Sequence, residues 1–117
     1  ARGTGMRAMA ETVEQIMQRV GVGTKSFRVG NGYPIVYGEC GDGPQSYVVY
    51  GHYDVQPVGH LSEWSVGPFS ATITDGKLYA RGASNSKGDL LARLAAIEAY
   101  QKTFGKLPVT LRFIVDG

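Results

Sequence analysis

The chain has 117 residues, 43% of them hydrophobic and 19% charged, enough for one folded domain and incompatible with a disordered tail or a fibre. Lys and Arg total 12 against 10 Asp and Glu, and the net charge of +2 is too small and too evenly spread to point to nucleic acid. The single cysteine, Cys40, excludes an internal disulfide framework and fits a reducing, cytoplasmic setting, and no apolar run approaches the roughly 18 to 20 residues of a membrane span.

From Met6 to Val20, apolar residues recur at spacings of three and four, which predicts a helix ended by Gly21 and Gly23. Phe27 to Val29 and Pro34 to Tyr37 read as short strands. Tyr47-Val48-Val49-Tyr50 has the pattern of a central strand buried on both faces, with His52 just past its end. The Gly- and Pro-containing stretch from Val55 to Phe69 reads as an irregular loop. Next comes a hairpin turning at Asp75-Gly76, a pair that supplies the positive φ angles of a tight turn. A second helix is predicted from about Asp89 to Phe104, with Leu90, Leu91, Leu94, Ile97 and Phe104 on one stripe, four alanines packed closely beside it, and Gly105 as its stop. Val109 to Val115 is again strand-like. Strand, helix and strand in that order predict a crossover joining parallel strands, hence an α/β sandwich with helices covering a largely buried sheet. A chain that ends straight after a strand reads as a piece of something longer.

In such sheets the ligand site lies beyond the carboxyl ends of the strands, where two segments carry suitable residues. In Gly51-His52-Tyr53-Asp54, extended backbone puts His52 and Asp54 on the same side, so the carboxylate can orient the imidazole as a metal-ligating His requires. A solvated loop accounts for the same residues. In Arg81 to Asp89, Ser84, Asn85 and Ser86 suit a helix cap and Asp89 complements the helix dipole. The functional alternative brings Asn85 near His52, since this loop leaves the same sheet edge. Lys87 is either a cation of the site or a solvated lysine. His60 reads as a surface residue, Cys40 as a small, partly buried side chain, and Trp64, Pro68 and Phe69 either as the lining of a pocket or, as such residues are more commonly used, as a clamp on the long loop. A catalytic zinc takes about three protein ligands plus water, and the sequence offers one well-placed His, Asn85 and no third donor.

These residues carry a resemblance. Tyr50-Gly51-His52-Tyr53-Asp54-Val55-Gln56-Pro57, Trp64, Pro68-Phe69, the block from Asp75 to Ser84, and Lys87-Gly88 resemble, in order, the zinc peptidases of the aminoacylase, carnosine dipeptidase and carboxypeptidase G family. The likeness extends to the opening segment from Arg2 and to Leu107-Pro108. It implies a zinc-exopeptidase-like three-layer α/β sandwich with a mixed, largely parallel sheet, present only in part. Residues 1–117 would then be the amino-terminal part of a catalytic domain, the remainder and an inserted lid domain that often forms the dimer contact being absent. By the same resemblance His52 is a zinc ligand and Asp54 the catalytic-site carboxylate that orients the metal. Asn85 stands where the family has an Asp bridging two zinc ions, a charge that a neutral amide does not supply.

Asp116-Gly117 falls at the family's Glu-Gly pair, beyond which a glutamate general base and further ligands follow. The parent is thereby expected to hydrolyse the amide bond of a dipeptide or an acylated amino acid with zinc-polarised water, and to be a homodimer. The piece alone is expected to be inactive and, through exposed sheet edges, to associate with itself or with the remaining chain. The alternative suggested by Asn85 is a metal-poor, non-catalytic relative acting as a binding module.

Overall fold

The computed structural model describes residues 5–117. Helix α1 spans Met6–Arg19 and buries Ala10, Val13 and Met17 on one stripe. Its end is closed by bonds from Gly21 and Val22 back to Gln18 and Met17, the glycine-dependent pattern of a helix C-terminus. Strand β1 (Gly23–Phe27) follows at once and pairs antiparallel with β2 (Ile35–Cys40), Phe27 opposite Ile35. The first strand therefore lies earlier than the expected Phe27 to Val29. Val29 belongs instead to a turn in which its carbonyl accepts the Gly32 N–H, while Arg28 Nε donates to the Gly32 carbonyl.

Strand β3 (Ser46–His52) runs parallel to β6 (Thr110–Asp116), and α2 (Asp89–Phe104) lies between them in the chain, as the crossover predicted. The short strands β4 (Thr72–Thr74) and β5 (Lys77–Tyr79) form the predicted hairpin, its turn residues Asp75 and Gly76 at φ 50° and 72°. The four-stranded sheet has the order β1-β2-β6-β3, with two antiparallel pairings and one parallel. It is mixed, as expected. Among the described residues, however, β3 lies at an edge rather than at the centre.

A single core joins α1 and α2 to one face of this sheet. Val36 and Cys40 of β2, Phe113 and Val115 of β6, and Val49 of β3 meet Met17, Leu90, Leu94 and Ile97. Gly38 belongs to that face because a Cβ there would lie 2.3 Å from Met17 Cε and 2.8 Å from Val22 Cγ1. Cα extents of 50 × 41 × 20 Å match one sheet and one helical layer.

The opposite face is open among the described residues. Val48 and Tyr50 are 65% and 60% exposed there, which corrects the expectation of a strand buried on both sides. A run of β-favouring residues reads the same at an edge as at a centre, because alternation is hidden when both faces carry large side chains. On the open face Arg112 Nε donates to Glu39 and its NH1 to Ser46 Oγ, so side chains of β2, β6 and β3 are tied across the register.

Helix α2 keeps the predicted bounds but not the whole predicted stripe. Leu90, Leu94 and Ile97 are buried, whereas Leu91, Phe104 and the alanines at 92, 95, 96 and 99 face outward. Phe104 packs against Tyr100 with ring centroids 4.8 Å apart.

Cys40 is buried, and desolvation pushes its thiol up from the ordinary value, Glu39 adding to the effect. Because the thiolate is the reactive form, the folded protein should be alkylated by iodoacetamide about tenfold or more slowly than urea-unfolded protein. Equal rates would place the thiol at the surface.

Candidate metal centre

The carboxyl ends of β3 and β6 lie side by side, with His52 opposite Asp116 in the parallel register. Beyond them the backbone continues as a clamp. The Tyr53 N–H donates to the Asp116 carbonyl at 2.7 Å, and the Tyr50 hydroxyl donates to Asp116 Oδ1 at 2.9 Å. The imidazole of His52 is thus carried on a strand end held by its neighbour.

The loop from Ala83 to Gly88 supplies the second half of the site. Asn85 has extended backbone (φ −109°, ψ 100°) within this otherwise coiled turn. Ser86 is buried, and its Oγ accepts the His52 N–H at 3.2 Å while donating to the His52 carbonyl at 2.8 Å. One hydroxyl therefore fastens the loop to the end of β3 through both backbone groups of His52. These contacts replace the capping expected of Ser84, Asn85 and Ser86. The cap position of α2 is Gly88, without a side-chain cap bond, and the first helical turn carries Asp89 as predicted.

Three side chains named from the sequence meet here. His52 Nδ1 is 2.7 Å from Asp54 Oδ1, and Nε2 is 3.0 Å from Asn85 Oδ1. Asp54, then Asn85, hold the imidazole above its ordinary value of about 6.5, against a smaller opposing effect of burial. The raised value favours imidazolium in the fold. Its stabilisation is full below the ordinary value and fades as pH rises through the folded one.

In neutral imidazole, a proton on Nδ1 donated to Asp54 leaves a lone pair on Nε2, facing the lone pairs of Asn85 Oδ1. Two acceptors at that distance are reconciled by a proton on Nε2, by an amide turned so that its N–H donates, or by a cation shared between them. Imidazole nitrogen suits zinc, whereas a neutral amide oxygen is a harder donor of the kind that magnesium, calcium or manganese prefers, and Asp54 stands where a ligating His needs its orienting carboxylate. His52 thus fits one of the roughly four positions zinc takes, with Asn85 a weak second. Among the described residues no group of three His, Cys, Asp or Glu side chains converges on such a point.

Comparison with known proteins decides the family. The model for peptidase family M20/M25/M40 matches residues 48–117, the span from β3 to the end of β6 that contains the whole His52 and Asn85 arrangement. The chain belongs to this peptidase family. The family resemblance read from its motifs is borne out. The human Beta-Ala-His dipeptidase is 36% identical over 120 residues, covering 96% of this chain and 24% of its own length. The crystal structure of human carnosine dipeptidase 1 superposes with a TM-score of 0.86 at 32% identity, covering 97% of this chain and 26% of that one. An M20 family metallo-carboxypeptidase from Sulfolobus solfataricus gives 0.81 at 39% identity, covering 97% and 25%. The chain thus spans about a quarter of the length of these relatives.

Other residues fall outside the family's candidate centre or beside it. His60 is exposed in the long loop, as expected. Trp64 anchors that loop, its Nε1 donating to the Val58 carbonyl at 2.8 Å and its ring covered by the Arg81 guanidinium at 4.9 Å. Phe69 is exposed and takes no part in that clamp. Lys87 is partly buried rather than free in solvent, and desolvation pushes its ammonium down from the ordinary value. Sequence reasoning missed the double role of Ser86 and the pairing of His52 with Asp116. The parallel register could have revealed the second; nothing local announces the first.

Among the described residues, no helix is long and apolar enough to cross a membrane.

Proposed function

We propose that residues 1–117 are the amino-terminal part of the catalytic domain of a zinc-dependent peptidase or amidohydrolase. Its substrate would be a dipeptide or acylated amino acid, beta-Ala-His being the first to try. In this reading His52 ligates zinc through Nε2, Asp54 holds the imidazole by Nδ1, and Asn85 offers its amide oxygen to the same ion. The observation that carries it is the oriented imidazole, bonded to Asp54 at 2.7 Å on one nitrogen and facing Asn85 on the other. Family membership supports the same reading.

The chemistry a zinc ion supplies in such a site is polarisation of a carbonyl and acidification of water. The chain's own part is to fix the imidazole's tautomer and direction and, through Ser86, to hold the Asn85 loop against β3. The proton-accepting glutamate and the remaining ligands would come from the rest of the protein, so the segment alone would be inactive. The lid domain, the homodimer and the cytoplasmic setting belong to the same proposal, the last in keeping with a single cysteine that is buried.

Asn85 favours a second reading, a metal-poor relative that binds ligands without hydrolysis, since a neutral amide brings no charge to compensate the cation. Zinc content of the purified whole protein separates the two. Bound zinc with hydrolysis of beta-Ala-His supports the peptidase, whereas less than one equivalent and no hydrolysis supports the binding module. In either case Asn85→Asp should tighten zinc binding by about tenfold or more, the scale of adding one charge-assisted contact. Unchanged affinity in a zinc titration would remove Asn85 from the ion's surroundings.

A further inference from the structure

The chain leaving β6 is fixed beside His52 at three points. The Asp116 carbonyl accepts the Tyr53 N–H at 2.7 Å, and the Asp116 carboxylate accepts the Tyr50 hydroxyl at 2.9 Å. Gly117 lies against the ring of Tyr53, where a Cβ would collide with ring atoms and with Met6 Cε. Tyr53 is a firm footing, since it is buried and its hydroxyl donates to the Pro34 carbonyl. Tyr50 is tied in turn to α2, whose Arg93 NH1 donates to its carbonyl at 3.1 Å.

Of these contacts, the side-chain bond between Tyr50 and Asp116 is the one the fold needs least. The parallel ladder from Ser46 to His52 already joins β3 to β6, and the Tyr50 ring stands on the open face of the sheet. A hydrogen bond in reach of water adds little to stability, because water takes the place of either partner when it breaks. What it does fix is direction. With both its carbonyl and its carboxylate held, Asp116 has little freedom to turn, so the segment after Gly117 departs at a set angle from the strand end that carries His52. Asp116 is the register partner of His52, and a small rotation there shifts whatever follows relative to the imidazole.

We propose that Tyr50 and Asp116 are positioning residues of the centre: the bond between them aims the chain leaving β6, so that groups carried beyond Gly117 meet the ion held by His52. The inference rests on the peptidase reading, in which the proton-accepting glutamate follows β6. Neither residue has to touch substrate or metal. Each acts through the backbone it holds. Displacing a reacting group by about 1 Å costs up to about 100-fold in rate, and an exit loosened at one of three points is expected to lose about tenfold.

The test is steady-state hydrolysis by the whole, zinc-loaded protein of whichever dipeptide or acylated amino acid the native protein cleaves fastest. Tyr50→Phe removes only the hydroxyl and should lower kcat about tenfold, while KM and the melting temperature change little. Asp116→Ala should match that loss, whereas Asp116→Asn, which keeps an acceptor for the hydroxyl, should retain most of kcat. Tyr50→Phe and Asp116→Ala together should lose no more than either alone, the mark of two groups acting through one bond. Unchanged kcat in Tyr50→Phe, losses that multiply in the double variant, or losses that merely follow the folded fraction would each overturn the proposal. If the native protein is active, such results leave the peptidase reading standing; absence of any hydrolysis by the native protein would overturn both.

Discussion

If the proposed peptidase reading holds, replacing His52 with alanine in the whole protein is expected to remove zinc and to lower amide hydrolysis by more than about 100-fold, beyond the range of losing an orienting partner alone. The substitution is unusually clean. The contacts that hold this strand end use the backbone of His52: its N–H and carbonyl both meet Ser86 Oγ, and neither depends on the ring. The imidazole is only partly buried and touches Asp54 and Asn85. The melting temperatures of the two proteins, both stripped of metal, should therefore differ little, while the variant's metal content falls. Asp54→Asn provides the graded companion. It keeps the side chain's shape but removes the charge that holds Nδ1–H, and should weaken zinc by about 10- to 100-fold. Zinc measured by mass spectrometry after dialysis reads both variants. A His52→Ala protein that retains its full metal complement would end the assignment.

Phe113→Ala should cost about 3–5 kcal/mol of stability, the range for deleting a buried aromatic side chain. Phe113 is 0% exposed in β6, opposite Gly38 on one side and Val49 on the other. It belongs to the core cluster formed with residues of both helices. Neighbours cannot close the void easily, because Met17 already reaches down over the side-chain-free position of Gly38. Phe113→Leu refills most of the volume and should cost distinctly less. The midpoint of urea unfolding, with its slope unchanged, measures both. Equal midpoints for the alanine and native proteins would mean that β6 is not the centre of the core.

The parts of the molecule legible in the sequence are those decided by local chemistry. Asp89 to Phe104 forms a helix with the bounds read from its apolar spacing and the glycine after it. Asp75-Gly76 makes the turn that its positive φ angles demand. The crossover forces β3 and β6 to be parallel, and His52 and Asp54, two residues apart at a strand end, meet as extended backbone requires. Where the reading failed, a non-local partner decided. Val29 left its expected strand because the register between β1 and β2 closes the hairpin before it. The alanines of α2 face outward because only three of its apolar residues reach the sheet.

The sequence by itself determined the family, the order of the elements and the imidazole-carboxylate pair, since each depends on residues a few positions apart or on motifs in a set order. The tertiary structure alone decided that β3 stands at a sheet edge among the described residues. It also decided that both helices share one face, and that Ser86 ties Asn85 to His52 across 33 intervening positions rather than capping a helix. A hydroxyl that can bond to its own helix or to a distant strand carries the same letter in either case, and only the packing of β3 against that loop selects between them.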